Sequence, residues 1–192
     1  MRAIRDCADL PLHWREGTLR SYRLLAGEET LALISFQRLA GTTALAEVAE
    51  GRFCFERRGL WLPQVAIRQD DERGEELAIF EPQLWSRDGV LIGLHGPLYR
   101  WSRVHERRAE EGEGTVPGPC WEWQDLTERP LLHFNQLICL PHMRMSGVLT
   151  IEPAAAGLSL LPLLATLGWY LLVLYEHGAT RPLPEVHSPL PH

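Results

Sequence analysis

The chain contains no lysine. Its 19 basic residues are all arginine and face 25 acidic ones, so 192 residues carry a net charge of −6. Such a balance gives no general attraction to nucleic acid or to an anionic bilayer, and nucleic acid is set aside as a partner. An arginine-only basic complement suits surface ion-pair networks. Cysteine is sparse as well: Cys7, Cys54, Cys120 and Cys139 include no CxxC pair and no regular spacing. The opening MRAIRDCADLPLHW holds no apolar leader segment, so the expectation is a disulfide-free chain in a reducing cytoplasm. No Ser-His-Asp elbow, P-loop, GxGxxG or HExxH appears. That weighs against the common hydrolases, kinases and dehydrogenases, and no cofactor is implied.

What the chain does have is one oily stretch, Leu158–Tyr175, LSLLPLLATLGWYLLVLY, without a charged residue. Apolar side chains surround a helix drawn from it, so the helix belongs either in a protein core or in a bilayer. With Ser159 as N-cap, Pro162 falls in the first turn, where a missing N–H is tolerated, and Gly178 is a natural stop. The helix is then roughly 24 Å long, short of the ~30 Å bilayer core. Glu152 and Glu176 bracket it and no arginine cluster marks a cytoplasmic side, so a transmembrane span is disfavoured. A buried helix needs a container. A sheet wrapped round it at a radius of roughly 10 Å takes about ten tilted strands.

The preceding chain supplies strand-like segments. TLRSYRLL, TLALISFQ, TTALAEVA and GRFCFERR alternate apolar and polar residues between Gly27, Gly41 and Gly51, the pattern of an antiparallel meander. TTALAEVAE fits a short helix equally well. Leu60–Arg68 reads as a strand interrupted at Pro63, and Glu76–Phe80 as another. Asp88-Gly89 predicts a two-residue hairpin between Leu84–Arg87 and Val90–His95. LYRWSR, CWEWQDL, LLHFNQLICL and GVLTIEP follow, with Arg107–Gly118 read as a charged loop. The expected architecture is mainly β: an antiparallel barrel of about ten to twelve strands wrapped around a hydrophobic C-terminal helix at 159–176. Residues 1–17 are an irregular lead-in, 18–177 the barrel domain, and 178–192 a proline-rich tail.

The order of these elements, the Arg73-Gly74 and Asp88-Gly89 turns and the closing GVLTIE…LPLLATLGWYLLVLYE resemble the Tubby C-terminal / phospholipid scramblase / LURP-one-like superfamily. The resemblance implies a twelve-stranded barrel around a central C-terminal helix. It also implies a non-enzymatic binding or scaffold role, with a phospholipid or an apolar ligand as partner. Phosphoinositide-binding members use a Lys/Arg pair on a strand. This chain has no lysine, so that function is not carried over.

Several constellations are candidates for chemistry. Arg100 and Arg103 around Trp101, with Arg57 and Arg58, could hold an anion or a lipid headgroup. On a strand Arg100 is opposite Trp101, which also fits the wet side of a half-buried strand. His133, Cys139 and His142 offer metal ligands, but only the last two are close, so an ordinary strand cysteine and histidines read equally well. Asp70, Asp71, Glu72, Glu75 and Glu76 lack the alternate spacing of a Ca²⁺ loop and fit a solvated turn. Glu122 with Glu81 or Asp125 would make an acid–base pair if they met. Two other architectures stay open: a tail-anchored β domain, and a barrel with a small-molecule lumen and the helix outside.

One truncation separates the buried helix from the anchored one. Removing everything after Glu152 should leave an insoluble chain if the helix is the barrel's core. A detergent-free, folded product would instead mean that the segment is an anchor.

Overall fold

Alternating segments become strands here because each has an apolar face and an apolar rod to cover. The computed structural model describes residues 1–38, 41–59, 63–71, 73–83, 86–104, 115–139 and 144–176. Twelve strands run in chain order: β1 (Leu12–Glu16), β2 (Ser21–Ala26), β3 (Glu29–Phe36), β4 (Ala44–Val48), β5 (Gly51–Arg58) and β6 (Gln64–Gln69). They continue as β7 (Glu76–Pro82), β8 (Gly89–Gly93), β9 (Gly96–Val104), β10 (Thr115–Gln124), β11 (Pro130–Cys139) and β12 (Arg144–Ile151). Each pairs antiparallel with its neighbour in sequence, and β1 pairs with β12, so the sheet is a closed up-and-down barrel. Closure removes both sheet edges.

After β12 the chain makes a 3-10 turn, Pro153–Ala155, and enters helix α1 (Leu161–Glu176). Every residue of α1 from Leu161 to Tyr175 is buried. Trp169 stacks on Trp14 of β1 at 5.3 Å, Tyr170 packs on Phe55 of β5 at 5.1 Å, and Tyr175 meets Trp121 of β10 at 5.3 Å. Strands β5 and β10 lie on opposite sides of the ring, so a helix touching both runs through the lumen. The lumen is filled, which removes the small-molecule barrel with an outside helix. Among the described residues no helix is long and apolar enough to cross a membrane.

Three glycines show how tightly the rod is held. A Cβ on Gly168 of α1 would sit 2.4 Å from the Phe134 ring of β11, and one on Gly147 of β12 would meet Trp169 at 2.8 Å. A Cβ on Gly89 would meet Phe80 at 2.3 Å. Gly89 is therefore a packing residue that starts β8, and Asp88-Gly89 is not the hairpin turn its composition suggests. The β8–β9 reversal comes instead at Leu94-His95, between paired Gly93 and Gly96.

Other expectations shift for local reasons. The segment taken as an irregular lead-in holds β1, which closes the barrel. Its apolar face is only Leu12 and Trp14, too short to announce a strand. TTALAEVA is strand β4 and not a helix, since Ala44, Ala46 and Val48 all face the core. Residues 115–118, read as part of a loop, belong to β10 and pair with β11 across an irregularity between Pro117 and Cys120. Residues 60–62 and 105–114 lie outside the described set.

Gly168→Ala tests the packing. Helix propensity alone would favour alanine by about 1 kcal/mol. Overpacking against Phe134, which is fully buried and wedged on Trp101 at 5.3 Å, should outweigh that at about 1–3 kcal/mol. The variant should melt below the parent in a thermal scan. An unchanged or raised Tm would show that Phe134 has room to move.

Candidate functional site

The two ends of the barrel differ in what covers them. At the end where α1 enters, Ile4 and Cys7 of a 3-10 turn are fully buried and pack on the start of the helix. At the end where α1 finishes, the described rim is basic. Pairing places Arg57 on the inner face of β5, beside buried Val65, and Arg103 on the inner face of β9, opposite Trp121. Arg20 and Arg87, from the β1–β2 and β7–β8 connections, join them at this end. The Arg20 guanidinium lies 4.4 Å from the Phe36 ring centre and that of Arg87 lies 5.3 Å from Tyr175, both cation–π contacts.

Several arginines on the outer wall are paired with carboxylates, although Arg15 and Arg23, neighbours across β1 and β2, make no such pair among the described residues. Arg58 bonds Glu56 and Glu76, Arg100 bonds Glu128 at 2.9 Å, and Arg129 bonds Asp125 at 3.0 Å. Arg57, Arg87 and Arg103 make no such pair among the described residues. The Arg57 Nε is enclosed and meets no acceptor. Carboxylates share this rim: Glu16 accepts from the Met145 N–H at 2.9 Å, Asp88 from the Arg103 N–H at 3.0 Å and Glu176 from the Gln136 amide at 3.4 Å, none of them in an ion pair with these arginines among the described residues. The helix C-terminus adds roughly half a negative charge at this end.

Of the four arginines singled out in sequence, Arg57 and Arg103 thus share one rim, while Arg58 and Arg100 face outward in ion pairs. Arg20 and Arg87 escaped the sequence reading because both sit in connections, where no alternation shows which way a side chain points. Leu19 was missed as well. Thr18–Ser21 is a turn whose two central residues, Leu19 at φ 54° and Arg20 at φ 53°, are both left-handed, a conformation that Asn-Gly usually fills. The turn exposes Leu19 by 81 % beside the basic rim.

The proposed metal ligands are not gathered. His133 is held between Glu122 and Glu152, at 3.0 and 2.9 Å. Cys139 ends the same strand, about 20 Å along it, and His142 lies outside the described residues. Among the described residues no group of three His, Cys, Asp or Glu side chains could hold a metal ion. The acidic turn is tied to β5 and to itself: Asp70 pairs with Arg52, Glu76 with Arg58, and Asp71 caps the Arg73 and Gly74 N–H groups. Glu72 lies outside the described residues. Glu122 meets neither Glu81, which bonds Gln64 at 2.7 Å, nor Asp125. Thr127 and Arg129 hold the Asp125 carboxyl down at about 2.

The helix positions the rim. Tyr170 donates to the Thr42 carbonyl and Tyr175 to the Arg87 carbonyl, each at 2.6 Å. Burial pushes both phenols up, with Arg57 and Arg20 opposing the shift at Tyr170. Burial and, secondarily, the Glu16 charge push Tyr22 up to about 12. Together these features define a filled antiparallel barrel with a guanidinium rim. Comparison with protein-family models, curated proteins and solved structures gives no match for this chain.

All four tyrosines of the chain have raised phenols. An unfolded chain releases these protons near pH 10, while the folded chain still holds them, so stability is intact below that pH and falls as pH rises through it. An alkaline titration should show little tyrosinate absorbance near pH 10, then a cooperative rise together with unfolding. Early, stepwise ionisation with the fold intact would contradict the buried phenols.

Proposed function

We propose that the protein is a non-enzymatic binding or scaffold module of the tubby/LURP-one-like kind, and that its binding surface is the basic rim. Its partner on this reading is the phosphate-bearing face of an anionic lipid surface. The observation that carries the reading is the set of inward-facing arginines without carboxylate partners, in a chain that is acidic as a whole. A filled lumen supports it from the other side, because a ligand then meets the ends or the outer wall. Exposed Leu19 supplies an apolar contact next to the guanidiniums, the pairing that interfacial binding uses. Basic side chains near an anionic surface contribute about 1 kcal/mol each.

The test is co-flotation with phosphatidylcholine vesicles, with and without phosphatidylserine. Binding should require the anionic lipid and weaken with salt. Arg103→Ala, at an exposed position, should lower it about five-fold. Leu19→Ser should lower it without changing its salt dependence. Competition by inorganic phosphate would point to a discrete phosphate pocket, and none to a surface-potential effect. Equal binding to both vesicle types, or no binding to either, overturns the reading.

A further inference from the structure

The barrel closes on β1. This strand pairs with β2 along all of Leu12–Glu16 and with β12 from Leu12 to Arg15. Its inner side chains, Leu12 and Trp14, are fully buried, and Trp14 stacks on Trp169 of α1 at 5.3 Å. Upstream, Ile4 and Cys7 are fully buried as well. Residues 1–16 thus form an arm that fills one slot of the wall and covers the start of α1. A single short link, residues 17–20, joins this arm to the other eleven strands.

That link is strained. A hairpin turn with two left-handed central residues is readily made by Asn-Gly. Here the two places hold Leu19 at φ 54° and Arg20 at φ 53°. In a left-handed residue the Cβ crowds the following carbonyl oxygen, a clash that glycine escapes. Other turns of the barrel respect this: Gly27, Gly51, Gly74 and Gly96 carry the positive angles there. Among the described residues the only further non-glycine case is Glu128, which stands alone. Local hydrogen bonds hold the link shut. The Gly17 N–H bonds the Ser21 carbonyl at 2.7 Å, and the Ser21 N–H and hydroxyl bond the Thr18 carbonyl at 3.2 and 2.7 Å. An extended link gives up these bonds and is free of the strain.

We infer that the partner of this arm's slot is a second copy of the chain: two copies exchange residues 1–16 through straightened links and form a symmetric dimer. Each slot offers the incoming arm the same neighbours as its own, namely β2, β12, Trp169 and the start of α1. The exchange therefore remakes every contact of the arm and changes only the link, where strain is lost. Short links under strain are the usual seat of such swapping. The two-fold arrangement closes on itself, so assembly stops at the dimer. Its geometry follows from the end at which the link lies. The β1–β2 connection belongs to the end where α1 finishes, so each arm crosses from one barrel to the other there, and the two barrels meet rim to rim. Arg57 and Arg103 of each copy then face the other copy and are withdrawn from any extended surface. The exchange does not depend on the lipid reading of the rim, but it hides the surface which that reading uses.

Refolding the full-length chain from denaturant over a range of protein concentrations, then sizing it by chromatography with light scattering, tests the exchange. A dimer should appear and grow with concentration. A double variant, Leu19→Asn with Arg20→Gly, gives the turn the residues it prefers, so its dimer should associate about ten-fold or more weakly than the parent's. A second measurement reads the exchange itself. His13 and Val148 are partners across the β1–β12 ladder, on the outer wall. Oxidised His13→Cys/Val148→Cys protein should give an interchain disulfide in the dimer fraction and an intrachain one in the monomer fraction, on a non-reducing gel. The parent, run alongside, shows the background from its own cysteines. No dimer at any concentration, a dimer joined only by intrachain disulfides, or a double variant that dimerises as strongly as the parent would each overturn the inference.

Discussion

A helix without a polar face governs this molecule. Nothing on α1 can be given to water, so the rest of the chain has to enclose it, and the circumference of that enclosure sets a minimum near ten strands. Twelve are present, more than the rod requires. The backbone of α1 lies closest to β3 and β4 on one side and to β10 and β11 on the other. Where it comes close, the facing residues are small, as Ala32, Ala44 and Ala46 are, or the helix itself is, as at Gly168. Towards β7–β9 the surplus width is taken up by Phe80, Trp101 and Trp123 packed on one another. Small and large residues are thus distributed to fit an off-centre rod in an oversized ring, and interior packing density demands as much.

Charge is sorted by the same geometry. On the outer wall several arginines meet carboxylates of their own or a neighbouring strand, as the Arg58–Glu56–Glu76 group does, and such exposed pairs hold little energy. An arginine on the inner face has no such neighbours, because the inner face is apolar until the barrel ends. Arg57 and Arg103 therefore emerge at the rim without an ion pair among the described residues. The partial negative charge of the α1 C-terminus lies at that rim and favours cations there, yet amounts to about half a unit. The whole chain is acidic while several arginines gather at one of its ends, and net charge alone conceals this.

Strand number, antiparallel order and the buried rod were readable because they follow from periodicity and from one composition extreme. The places where reading failed are those where a residue has two uses. Gly89 in Asp-Gly looks like a turn and is instead a gap for Phe80. Leu12 and Trp14 are too few to signal a strand, yet they close the ring. The site was half legible. Alternation separates Arg57 from Arg58 and Arg100 from Arg103, but which face is the inner one is decided only when Trp121 and Val65 are seen to pair with them. His133 showed up as a metal ligand because spacing along a strand is all a sequence offers. Its partners come from across the ladder, at Glu122, and from the end of the next strand, at Glu152.

Core and rim are one structure. The phenols that close the lumen at the exit end, Tyr170 and Tyr175, are also the groups that bond the connections carrying Thr42 and Arg87. Arg20 bonds the Gly41 carbonyl in the same connection as Thr42 and lies on Phe36, which in turn stacks on Tyr170 at 5.8 Å. A change of volume deep in the barrel that rotates α1 must therefore carry both tyrosines with it and shift the arginines at the surface. At the other end the chain reaches α1 only through Glu152 and the turn after it. A rod held at its start by the hydrogen-bonded turn after Glu152 and at its finish by two phenols has little freedom to slide or turn.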